Sequence, residues 1–108
     1  KRYPYPFDHV FAKGRGSLGE LGLNLVETQR SPDGARGSVV ASKGLSLFSY
    51  GERVAVFLTK RSEHETEVEV VSKRVLATNI LAKDWTQDIF QTLDRRLAEE
   101  TMEAIQAP

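Results

Sequence analysis

The chain has 108 residues, 28% charged and 40% hydrophobic, with 15 Lys plus Arg balanced by 15 Asp plus Glu; that is one compact domain with a single core. Zero formal charge provides no basic field to gather nucleic acid, and no apolar run reaches the roughly 18 residues of a transmembrane helix. Cysteine is absent, which excludes disulfides and thiolate chemistry and leaves packing alone to hold the fold.

Lys1-Arg2-Tyr3-Pro4-Tyr5 reads as a short strand whose proline confines it to an edge or a strand end. Pro6 suits the first helical position, with Asp8 in the first turn against the positive helix end. Phe7, Val10, Phe11, Leu18 and Leu21 then recur at helical spacing, although Gly14, Gly16 and Gly19 each cost that helix about 1 kcal/mol relative to alanine. Gly22 ends it, and residues 23–30 read as a second strand.

Ser31-Pro32-Asp33-Gly34 is a tight turn, since proline presets one backbone angle and glycine accepts a positive one. The third strand is expected over 36–42 and the fourth over 52–60, where Val54, Val56 and Leu58 alternate with Arg53, Ala55, Phe57 and Thr59. A polar turn at 62–65 leads to the fifth strand, 66–74, with Val68 and Val70 inward and Glu67, Glu69 and Lys73 outward. Residues 75–82 fit either a strand extension or a loop over the core. Asp84-Trp85-Thr86-Gln87 is a capping-box pattern that opens a long helix, 84–104, whose buried stripe is Trp85, Ile89, Leu93 and Leu97 with Phe90 beside it. The expected fold is therefore a single α+β domain over 1–108, in the order β-α-β-β-β-β-α, with both helices on one face of an antiparallel sheet.

No residue cluster forms a recognisable catalytic or metal site, so no enzymatic activity, cofactor or metal is expected. Gly14-Arg15-Gly16-Ser17-Leu18-Gly19 matches a dinucleotide-binding pattern, but it falls inside a helix instead of following a buried strand, and its glycines are read as letting the helix press onto the sheet. His9 and His64 lack the spacing of a zinc site. Gly44-Leu45-Ser46-Leu47-Phe48 carries Phe48 where a nucleophile elbow needs glycine. Glu63, Glu65, Glu67 and Glu69 read as a solvated strand face, with Lys60, Arg61, Lys73 and Arg74 placed to offset their repulsion.

Two apolar features remain unexplained by a core. Residues 45–50 place Leu47, Phe48 and Tyr50 in a connection that ordinarily would be polar, and Ala55, Phe57 and Val71 stand at outward positions of the fourth and fifth strands. Either could be covered internally, the sheet face by 75–82. Left uncovered, Leu47, Phe48, Tyr50, Phe57 and Val71 form a candidate interaction surface for a protein partner or a homodimer. The competing reading is a pocket between sheet and helix, lined by Phe11, Trp85 and Phe90, for a small apolar ligand or lipid.

Tyr5-Pro6 opening a helix through Val10-Phe11, Leu21-Gly22-Leu23 through Val26, Ser46-Leu47-Phe48-Ser49-Tyr50-Gly51-Glu52, Thr66-Glu67-Val68-Glu69-Val70, and Asp84-Trp85 together form a pattern of hydrophobic spacing that covers most of the chain. In that pattern the chain resembles small α+β domains, without assigned activity, of bacterial envelope proteins and lipoproteins. The order of elements is also similar to TATA-binding-protein-like and helix-grip arrangements. The resemblance implies a bacterial origin and a membrane-anchored context in the envelope or periplasm, and the opening at Lys1 in place of Met suggests that a leader, tag or anchor was cut away. With apolar surfaces unexplained and no chemistry visible, the expected function is a protein-interaction or envelope-associated accessory module.

Overall fold

A computed structural model describes residues 1–43, 52–74 and 84–106. The elements are β1 (Arg2–Tyr3), α1 (Phe7–Glu20), β2 (Asn24–Arg30), β3 (Arg36–Lys43), β4 (Glu52–Ser62), β5 (Glu65–Arg74) and α2 (Thr86–Gln106), the predicted α+β order. Five strands form one antiparallel sheet in the order β1-β5-β4-β3-β2. Two residues long and followed by Pro4, β1 is an edge strand, as its proline requires. The apolar connection at 45–50 and the run at 75–82 lie outside the described residues.

Side-chain alternation along each strand sets the two faces of the sheet. The inner face carries Val39 and Ala41 of β3, Val54, Val56 and Leu58 of β4, and Val68 of β5, all buried. Val10, Phe11 and Leu18 of α1 and Ile89, Leu93 and Leu97 of α2 close over it in one core. Val70 and Phe90 pack at its margin, half-buried.

The ends of α1 follow from local chemistry. Pro6 is the N-cap and not the first helical residue: its ψ of 150° is extended, and its carbonyl accepts the Val10 amide at 3.1 Å. At the other end Gly22, with φ +81°, lets its own amide reach Gly19 and the Leu23 amide reach Leu18, both at 3.0 Å. This pair of bonds satisfies the last carbonyls and sets Leu18 against Leu23. The β2–β3 turn closes as expected, with Gly34 at φ +70° and its amide 3.0 Å from the Ser31 carbonyl.

The helix glycines do not press α1 onto the sheet. A Cβ at Gly14 or Gly19 would meet no heavy atom within 4 Å, and one at Gly16 would meet the Arg96 guanidinium of α2 at 2.8 Å. Close approach to the sheet is made instead at Gly37 of β3, where a Cβ would lie 2.6 Å from the Phe11 ring. That ring stacks on Phe7 with centroids 5.7 Å apart, and the Arg30 guanidinium covers it at 4.4 Å while pairing with Asp8 at 2.9 Å.

Helix α2 begins one position later than the capping box predicts. Trp85 provides the first helical carbonyl, to Ile89 at 3.0 Å, while the Asp84 carboxylate accepts the Thr86 amide at 2.9 Å. That bond lowers the Asp84 pKa. Trp85 is fixed to the sheet by its amide, which donates to Ser72 at 3.1 Å, and by its indole N–H, which donates to the buried Glu52 carboxylate. On the other side of the sheet's helical layer, Asp94 accepts the Tyr3 hydroxyl at 2.6 Å and the Lys1 ammonium at 2.7 Å. Burial, and then the Asp94 bond, raise the Tyr3 phenol far above its ordinary range.

Candidate functional site

With both helices on the inner face, the outer face of the sheet has no helical cover among the described residues. The molecule measures 19 Å along its shortest axis, the thickness of a two-layer fold. Strand register arranges the outer side chains in rows. Val40, Ala55 and Val71 stand opposite one another on β3, β4 and β5, and Ser38, Phe57 and Glu69 form the next row. Arg36, Thr59, Glu67 and Arg2 form a third, and Arg53 lies beyond Ala55 on the other side.

Phe57 projects from the middle strand with 44% of its surface exposed, whereas its neighbours Ala55, Val40 and Val71 are half-buried. Among the described residues, three depressions border that ring. One of about 280 Å³ is apolar and runs over Val40, Ala55 and Val71 to Phe57. A second, about 290 Å³, lies toward Gln29, Arg36 and Ser38. The third, about 400 Å³, passes over Glu67 and Glu69 to the β5 edge, where it reaches Val70 and Phe90.

Charges frame this apolar centre. Arg61 donates to Glu67 through Nε at 2.9 Å and through a second guanidinium nitrogen, and this hydrogen bonding lowers the Glu67 pKa. Of the cations placed beside the glutamates in the sequence, Arg61 makes such a pair; Glu65 is met instead by Arg2 at 3.3 Å, and Glu63 lies in the turn, outside the strand. The side chains of Arg36 and Glu69 make no hydrogen bond or ion pair among the described residues. Each borders the Phe57 ring on a different side.

Of the residues singled out in the sequence, Phe57 and Val71 share this face, while Leu47, Phe48 and Tyr50 lie outside the described residues. The supposed pocket of Phe11, Trp85 and Phe90 is not assembled by the described residues. Phe11 lies over Gly37, which pairs with Leu58, and Trp85 sits at Glu52, six residues along β4 and thus about 20 Å away. Both are buried core side chains. Only Phe90 reaches a described depression, and that depression includes Phe57.

Sequence patterning missed two features. Val40 completes the apolar row, and its position in an inward-looking stretch of β3 is resolved only by the pairing with Ala55. Strand β2 is exposed along its whole length, with Leu25 and Val26 at 43% and 53% exposure. A register shift between Leu25 and Glu27 interrupts that edge, and together with the charges of Glu27 and Arg30 it blunts further strand pairing.

Gly14–Gly19 lies within α1, where backbone amides are committed to helical bonds, and among the described residues no three His, Asp or Glu side chains converge as a metal site. No described helix is long and apolar enough to cross a membrane. No family model matches the chain, and comparisons with curated proteins and with solved structures found no match. The likenesses to envelope domains and to TATA-binding-protein-like or helix-grip folds therefore rest on hydrophobic spacing and element order.

Proposed function

We propose that this domain is a non-catalytic protein-interaction module that binds through the outer face of its sheet. One observation carries the reading: three depressions converge on Phe57, an exposed aromatic at the centre of an apolar row on the face opposite both helices. Aromatic side chains in that setting are the common anchors of protein interfaces, since covering one gives about 1.5 to 3 kcal/mol and the surrounding charges exclude wrong partners. Phe57 contributes little to the core it turns away from, so its presence is explained by contact with another surface.

A photoreactive phenylalanine analogue at position 57, used in the cells that make the protein, tests this. Adducts to protein should form at position 57 and not at the exposed Ala98 of α2, and Val71→Glu should suppress them. Equal labelling at positions 57 and 98 would contradict the proposal.

A further inference from the structure

We infer that the occupant of the outer face is a second copy of the same chain, seated face to face about a two-fold axis that runs along β4. The inference rests on the interaction reading above and names its partner. It comes from the register. Such an axis leaves β4 over its own image and exchanges the β3 and β5 positions within every row.

The exchange is complementary row by row. Val40 falls over the partner's Val71, with Ala55 between them; Phe57 meets the partner's Phe57; Ser38 comes to the partner's Glu69, and Arg36 to the partner's Glu67. Apolar groups thus meet apolar groups, a hydroxyl meets a carboxylate, and a guanidinium without an ion pair among the described residues meets an acid, twice per dimer. Glu67 accepts both Arg61 bonds through Oε2, which leaves Oε1 for Arg36. Glu69, also without a partner among the described residues, gains one in the same step.

The alternative two-fold, across the strands, fails the same test. Centred on Phe57 it would set Glu69 on its own image and Val71 on the partner's Glu67; like charges and a buried apolar-acid contact both oppose it. An axis along the strands also gives the near-aligned packing that twisted sheets adopt face to face. Of the charged residues on the outer face of β4, Arg53 meets its own image in the favoured arrangement, and it is exposed at the rim, where long side chains point apart into water. The contact covers the eight residues so matched on β3, β4 and β5 in each copy, roughly 1,000 Å² in total, the range of weak, reversible interfaces.

Sedimentation velocity from about 1 µM to 1 mM tests the inference, on the parent, Arg36→Glu and the Arg36→Glu/Glu67→Arg double variant. The parent should dimerise reversibly, Arg36→Glu should weaken dimerisation at least about tenfold, and the double variant should return to within about threefold of the parent. Photo-adducts at position 57 should carry the mass of two copies. A parent that stays monomeric, or an Arg36→Glu variant that dimerises unchanged, overturns the inference. The two readings separate cleanly: adducts at position 57 to a different protein, from a monomeric parent, overturn self-association and leave the interaction module standing, whereas no selective adducts overturn both.

Discussion

Replacing Gly37 by alanine tests how closely α1 is seated on the sheet. The new Cβ would lie 2.6 Å from Phe11 Cε2 and 3.1 Å from Phe7 Cζ, against the roughly 3.5 to 4.0 Å of ordinary carbon contacts. Neither ring has room to retreat: both are buried at 4% exposure, they stack on each other, and Arg30 caps the outer side of Phe11. Overpacking of this kind costs about 1 to 3 kcal/mol, partly offset by the 0.5 to 1 kcal/mol that alanine gains over glycine in a strand. The net expectation is a loss of about 1 to 2 kcal/mol, a large share of the margin of a domain this size. Urea unfolding followed by fluorescence reads it directly, because Trp85 is the only tryptophan and is buried. Adding Phe11→Leu should recover part of the loss when compared with Phe11→Leu alone, as contacting residues couple. A Gly37→Ala protein as stable as the parent would refute the seating of Phe11 on β3.

Other substitutions probe other layers. Leu93→Ala, at a fully buried position of α2, should cost about 2 to 5 kcal/mol in the same titration. Gly14→Ala should do the reverse and raise stability by up to about 1 kcal/mol by calorimetry, since a Cβ there meets nothing and helix propensity improves. Partial burial pushes the Asp94 carboxyl up, but the hydrogen bonds from Lys1 and Tyr3 outweigh it, so its pKa is lowered on folding. A lowered carboxylate pKa stabilises above the unfolded value and loses that contribution as pH falls through the folded one. The advantage of the parent over Asp94→Asn should therefore be full at neutral pH and disappear on acidification below the ordinary aspartate range, about pH 4, which thermal melts across that range will show.

Much of this fold was legible in the sequence because local chemistry and hydrophobic period agree along most of it. The alternation of Val54, Val56 and Leu58, the Pro32-Gly34 turn and the stripe of Ile89, Leu93 and Leu97 each specify one structure, and each is found. The errors arise where the answer depends on what lies across the interface. Helical glycines signal close approach, yet only the neighbour decides it, and the surface pressed by α1 turned out to be Gly37. Glu52 shares the parity of Val54 and so turns inward, where the Trp85 indole supplies a donor that no sequence pattern reveals. Phe11 and Trp85 are both large and apolar, and nothing in their spacing shows that they occupy opposite ends of the sheet. For the surface, Phe57 and Val71 were visible as outward apolar positions and Glu69 as an outward charge, but Val40 and Arg36 joined them, and Glu69 came beside Phe57, only through strand register, which sequence periodicity does not fix.

The claim that Phe57 belongs to a binding face and not to the core is tested most directly by the unfolding free energy of Phe57→Thr. The threonine keeps strand propensity while removing the ring. With 44% of the residue's surface already in water, the account predicts a loss of no more than about 1.5 kcal/mol, roughly half of what full burial of such a ring contributes. A loss of about 3 kcal/mol or more, the cost of deleting a buried phenylalanine, would show that the chain itself covers Phe57 and would contradict the account.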